Sequence, residues 1–359
     1  MIIWTKDALR ASVEAASGGR VTVLYNDKGH PSYMCVISKF NTQDVTAGAG
    51  TGVHPMFTIN GVEKSELFIG QYPGKLVDGR LVSLPGVDAT ASITFDQAMS
   101  YCRANGAGWH LMTNAEWAGI FLHSHGSLGA DAVHGNTYYG RDYDITHEQG
   151  RRQDGIAPGP DSGTGRTLTG SGPASWRHDG TMFGISDLVG NAWEWQGGLR
   201  LNDGEIQIIE NNNAAADGAD HGVSSDDWKA ILEDGTLVAP GTSDTLKWDA
   251  SGATGAGNPV LAVSVSSQSD GSTSAGQGYK DLTADVAITP PDILKVLALF
   301  PHEVDMTRGG FYMRNLGERL PFRGGYWIYS GDAGLAAFYL GSPRSHSYTS
   351  IAARPAFFS

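Results

Sequence analysis

Apolar and polar positions alternate with two periods along this chain. In "SITFDQAMSYCRANG", Phe95, Ala98, Met99 and Cys102 recur at helical spacing and share one face. Thr94 and Gln97 are placed as a capping box ahead of them, and Asn105-Gly106 supplies a stop. "WHLMTNAEWAGIFLHSHG" repeats the device, with Thr113 and Glu116 as the box and Trp117, Ile120 and Phe121 facing inward. A third helix is predicted from Trp4 to Ala16 through Leu9, Val13 and Ala16. "TPPDILKVLALFP" predicts a short buried helix with Thr289 as N-cap, Pro290 first and Pro301 as terminator. Period-two runs mark strands at "RVTVLYND" and "YMCVISKF", and Asn60-Gly61 within "MFTINGVEKSELFIGQYPG" marks a hairpin.

These elements predict an α+β protein in two parts. Residues 1–55 read as a small N-terminal module for attachment or oligomerisation, and residues 56–359 as the main domain. The chain of 359 residues holds 49 Gly, which adds many turns to that picture. The net charge of −13 argues against nucleic-acid binding and against a polybasic membrane surface. Most of the imbalance lies in one place: Asp203 to Pro290 holds 14 acidic residues against 3 Lys. Residues 203–288 are therefore read as an acidic insertion, either a subdomain or a partly ordered excursion. No run is apolar enough for membrane insertion, and the N-terminal apolar run is too short for a signal peptide, so synthesis in the cytoplasm is expected.

Candidate chemistry is sparse. Cys35 and Cys102 lie far apart in apolar contexts and read as buried thiols. In "HSHG", His123 and His125 form a pair that reads as a helix-end cap rather than a metal site. Gly48, Gly50 and Gly52 lack the strand and helix that a phosphate loop requires. No residue is assigned a catalytic or metal-ligating role.

The tail, "RGGYWIYSGDAGLAAFYLGSPRSHSYTSIAARPAFF", carries the strongest signal. Arg323, Trp327, Leu335, Ala337, Ile351, Arg354 and Phe357 read as a frame. Between them stand Tyr326, Ile328, Tyr329, Ser330, Asp332, Tyr339, Ser342, Ser345, His346, Ser347, Tyr348, Thr349 and Ser350, without periodicity. The stretch has no Lys, Glu, Gln, Asn or Met. Tyr gives a large amphipathic contact with few rotors, and Ser, Thr and Asp adapt their hydrogen bonds, the palette of antibody loops. The thirteen unpatterned positions are the expected ligand-binding residues, with side chains directed to solvent.

The order "YCRANG", "WHLMTNAEWAGI", "GISDLVGNAWEW", "RGGYW", "ARPAF" resembles the formylglycine-generating-enzyme-type variant of the C-type lectin fold. That resemblance implies this fold from Met56 onward. It offers an oxidase reading, but that chemistry requires a reactive cysteine pair late in the fold, and no Cys follows Cys102. A structural calcium ion near Asn191, Trp193 and Glu194 is compatible with the resemblance. The tail is similar to the variable region of proteins diversified by retroelements, best known as phage tropism determinants. There, randomised adenines at Asn codons yield residues such as Tyr, Ser, His, Asp, Thr and Ile, but not Lys, Glu, Gln, Met or Trp. The implied function is non-catalytic recognition of a variable protein or glycan ligand on a cell surface, from a virion tail fibre. A cellular diversified binding protein is the alternative, and a homo-oligomer is compatible with either.

Overall fold

Both capping boxes close in the computed structural model, which describes residues 7–303 and 308–359. Thr94 Oγ1 accepts from the Gln97 amide while Gln97 Oε1 accepts from the Thr94 amide, which opens helix Phe95–Arg103. Thr113 and Glu116 do the same for helix Asn114–Leu128. Each box satisfies amides that have no partner inside the helix. The first helix buries Phe95, Ala98, Met99 and Cys102, the face its spacing predicts. The second is buried on every side from Asn114 to Leu122. Its Glu116 is held by His110 Nε2 at 2.8 Å and by Asn212 Nδ2 at 3.0 Å, as a buried carboxylate requires.

Two expected helices change. The N-terminal one spans Ala8–Ser17 with Asp7 as N-cap, while Trp4 lies outside the described residues. Only Val13 of its three apolar positions packs on the core; Leu9 and Ala16 are exposed. The proline-led helix spans Asp292–Val296, with Pro291 before it. Thr289 does not cap it, because a residue followed by proline is driven out of the helical region and Pro290 precedes Pro291. The Asn60-Gly61 hairpin forms as predicted, both residues at positive φ, with Thr58 opposite Glu63.

Strands far outnumber helices. A five-stranded sheet runs in the order Val21–Tyr25, Pro31–Ser38, Glu66–Gly70, Pro355–Phe357, Trp109–Leu111, all antiparallel. Residues 7–55, read from sequence as a separate module, supply its first two strands. Pro31–Ser38 pairs with Glu66–Gly70 through five residues, Cys35 opposite Ile69. Val21, Cys35 and Ala49 share a core with Met56, Leu67 and Ile69, so this segment is built into the main body.

The large sheet holds 13 strands. Strand Gly334–Ser342 lies between Gly310–Met313, which runs parallel to it, and Glu318–Gly324, which runs antiparallel. Glu318–Gly324 also pairs with Trp193–Trp195, and that strand pairs in parallel with Ile351–Ala353. The acidic stretch belongs to the same sheet and is ordered. It contributes strands Glu205–Ile209, Trp228–Ile231, Lys247–Ala250 and Pro259–Ala262. Buried Trp228, Ile231, Trp248 and Leu261 hold it, with Trp248 4.8 Å from Phe311 between ring centroids. A few large apolar residues suffice here, and the buried carboxylates Glu205 and Asp249 are held by hydrogen bonds from Gln207 and Thr245 and from Ser266 and Ser267.

Candidate ligand-binding face

Arg323, Gly324 and Gly325 fix the start of the tail. The Arg323 guanidinium is fully buried, donates to Asn114 Oδ1 and the Ala298 carbonyl at 2.8 Å each, and lies 3.7 Å over the Phe338 ring. Burial pushes its pKa down to about 9. Gly324 sits at φ +94° against the Leu188 carbonyl, which a Cβ would approach to 2.4 Å. Trp327, Leu335, Ala337, Ile351 and Arg354 are buried, and Phe357 is half-buried against Phe68 and Trp109.

The loops between these frame residues are held by their backbone. The Tyr348 carbonyl accepts from Ser92 N at 3.0 Å, and the Ser350 carbonyl accepts from Trp193 N at 2.8 Å. The Thr349 carbonyl accepts from Arg166 Nη1. Arg166 also chelates Asp88 through two bonds, at 2.9 and 2.8 Å, and lies over the Trp327 ring. The Trp327 carbonyl accepts from Tyr139 N at 2.8 Å, and Ser330 N donates to the Thr137 carbonyl at 3.0 Å. Arg344 grips Glu318 through two bonds of 2.8 Å and reaches Asp96 at 2.8 Å. At 348–350 the side chains are left out of this network, which uses main-chain oxygens.

Between the loops lies a groove of about 350 Å³. Tyr326, Tyr329, Tyr339, Ser342, His346, Tyr348 and Ser350 line it, so the structure brings together seven expected positions from three stretches of the tail. Ile328, Ser330, Asp332, Ser345, Ser347 and Thr349 do not line it; all but half-buried Ser330 are exposed. The frame residue Ile351 and Trp193, Phe322 and Arg314 complete the lining; the last three were not singled out as ligand-binding. Only the aromatic density of "GNAWEW" and the Phe beside "RGG" hinted at them.

The aromatic residues form one connected set. Tyr329 meets Trp193 edge-on at 5.0 Å and Tyr326 at 5.1 Å, and Tyr339 stacks on Phe322 at 5.3 Å with rings within 5° of parallel. Burial pushes the Tyr326 and Tyr329 phenols above the usual range. Tyr312, behind them, donates to Asp332 Oδ2 at 2.9 Å; burial first, then that bond, pushes it up to about 12. His346 Nδ1 is 2.7 Å from Ser342 Oγ, and burial, then Arg314 and Arg319, lower its pKa. Among the described residues the lining holds no carboxylate. The groove is thus lined by aromatic and polar groups, and Asp332 stands outside it on the same face.

Three expectations need correction. Not all thirteen side chains look outward. Ser342 is 2% exposed because it ends an interior strand, and Tyr329 and Tyr339 pack on the core as half-buried walls. The calcium ion does not fit: both Glu194 oxygens are taken by Arg354, and Asn191 Oδ1 accepts from Thr167 N and Asn136 Nδ2. His123 and His125 lie inside helix Asn114–Leu128 and part company, His123 against Phe40 and His178, His125 against Glu303. Cys35 and Cys102 are buried in different clusters, and burial pushes both thiols up.

No protein-family model matches this chain, and no curated protein matches it. It is similar to a solved structure, Treponema denticola variable protein 1. The likeness has a TM-score of 0.33 and 10% identity, over 94% of this chain and 98% of that one.

Proposed function

We propose that this chain is a non-catalytic binding protein that presents residues 323–359 as a variable face, diversified by a retroelement, on a formylglycine-generating-enzyme-type C-type lectin scaffold. The observation that carries this reading is the division of labour at 348–350. Their carbonyls are tied to Ser92, Arg166 and Trp193, while Tyr348 and Thr349 expose their side chains. Backbone anchoring of this kind lets a side chain change without moving the loop, and a preformed loop lowers the ordering cost of binding.

The bound partner is a protein or glycan on a host cell surface, and the carrier is a viral tail fibre. Aromatic walls supply contact area, and His346 and Ser350 supply adaptable hydrogen bonds. Many copies on one particle multiply a modest single-site affinity. Attachment is assigned to the N-terminal end, where Leu9 and Tyr25 are exposed. The non-catalytic reading is supported by the two thiols, each buried and in separate clusters, where neither is placed to act as a nucleophile.

The test compares natural isolates. The coding sequence for 323–359 should have a nearby template copy rich in Asn codons beside a reverse-transcriptase gene. Differences among isolates should fall on the thirteen unpatterned positions. Substitutions spread equally over Arg323, Trp327, Leu335 and Arg354 would remove the basis for the reading.

A further inference from the structure

A second site lies among other elements than those of the groove. Helix Asn114–Leu128 carries His125 near its C-terminal end, and the chain beyond Asp292–Val296 brings His302 and Glu303 beside it. One imidazole nitrogen of each histidine and a carboxylate oxygen of Glu303 all lie within 4.8 Å of one another. His125 Nε2 contacts Glu303 Oε1, and His302 Nε2 is 3.9 Å from the same oxygen.

Burial makes this cluster unlike a surface ion pair. His125 is 8% exposed, and the His302 side chain is fully buried, while Glu303 reaches in from solvent. His302 Nε2 is 2.7 Å from Thr46 Oγ1, yet Nδ1 of the same ring has no hydrogen-bond partner among the described residues. Protein groups therefore leave this buried imidazole half-satisfied. His125 faces His302, 177 positions away from it in sequence, and not its sequence neighbour His123.

We propose that His125, His302 and Glu303 bind a zinc ion, with water in the fourth position. Two neutral imidazoles and one carboxylate form a donor set suited to zinc, with bonds of about 2.0–2.2 Å. Around one tetrahedral ion the three donors stand roughly 3.3 Å apart, from bonds of that length. To share one ion the His125–Glu303 contact must lengthen and the separations of up to 4.8 Å must shorten, with Glu303 the exposed member. Thr46 Oγ1 holds the His302 ring through Nε2, so the ligating nitrogen of this proposal is Nδ1, which has no hydrogen-bond partner among the described residues. The ion would staple helix Asn114–Leu128 to the 301–303 segment, and the site is independent of what the groove binds.

The experiment uses the untagged full chain, stripped by a chelator and then titrated with Zn²⁺ by calorimetry and with Co²⁺ by visible absorption. One ion per chain, tetrahedral cobalt bands and a zinc-dependent rise in melting temperature are expected. H125A and H302A should weaken zinc binding by more than about tenfold, the lower end of what even an outer-contact change causes. H123A, in the same helix but away from the site, should bind as wild type. E303Q keeps the exposed side chain's shape and provides the measurement if a histidine variant fails to fold. Absence of stoichiometric binding by the folded chain, or wild-type affinity in E303Q and H125A, overturns the proposal.

Discussion

Arg354 holds Glu194 by two bonds, Nε to Oε2 at 2.9 Å and Nη2 to Oε1 at 2.5 Å, and water reaches neither side chain. The guanidinium also donates to the carbonyls of Gly70 and Ser186 at 2.8 Å each. One residue thereby ties strand Trp193–Trp195, beneath the groove, to strand Glu66–Gly70 of the other sheet. Burial pushes the Glu194 carboxyl up and Arg354 pulls it back. Arg354→Met should cost about 3–5 kcal/mol, because it leaves a buried carboxylate without its partner. Urea denaturation measures this, and a loss below about 1 kcal/mol, the worth of an exposed pair, would refute it.

Tyr348 and Trp193 touch the same groove and should behave oppositely. Tyr348 is 58% exposed, so Tyr348→Ala should change stability by less than about 0.5 kcal/mol while reducing attachment to the host cell. Trp193 is 4% exposed and packs on Phe322, Tyr329 and Tyr339, so Trp193→Ala should cost about 3–5 kcal/mol. Thermal unfolding and fluorescent whole-cell binding separate the two effects. Equal destabilisation by both changes would contradict the separation of frame from display.

Gly324→Ala should destabilise by more than about 1 kcal/mol, since the position combines positive φ with a carbonyl in the way. Gly331→Ala, where a Cβ meets open space, is the control. A melting temperature in Gly324→Ala equal to the control's would show that the turn is not as tight as described.

Stability should fall as pH drops from about 6.5. Burial lowers the pKa of His54 and His178 to about 4 and that of His221 to about 3, against an ordinary value of 6.5. Between the lowered and ordinary values the unfolded chain binds more protons than the folded one. Each histidine therefore removes up to about 1.4 kcal/mol of stability per pH unit on acidification through that window. Asp187 and Glu194, raised by burial, act in the opposite direction, so the comparison is between variants. Urea midpoints at several pH values should show a shallower slope for His54→Asn than for wild type; parallel slopes would count against the assignment.

Local chemistry was legible in the sequence. Both capping boxes, the Asn60-Gly61 hairpin and the buried frame of the tail rest on contacts within a few residues or on plain hydrophobicity. Pairings across the chain were not. Nothing near Pro355 announces strand Glu66–Gly70 as its neighbour, and nothing near Cys35 announces Ile69. The groove shows the same limit. Its tyrosines stand out by composition, whereas Arg314 enters the lining only because Gly310–Met313 lies beside Gly334–Ser342. In the acidic stretch, Trp228 and Ile231 pointed to packing, but the pairing of Gln207 with Ala230 that joins it to the large sheet has no local signal.

Strand Pro355–Phe357 sits between Glu66–Gly70 and Trp109–Leu111. During translation Val21–Tyr25, Pro31–Ser38 and Glu66–Gly70 can pair soon after they leave the ribosome, yet the outer edge of Glu66–Gly70 must wait for almost three hundred further residues. The nascent chain therefore carries an open β-edge through most of its own synthesis. Cells producing it in quantity face a period of vulnerability to aggregation that closes only when those late residues dock.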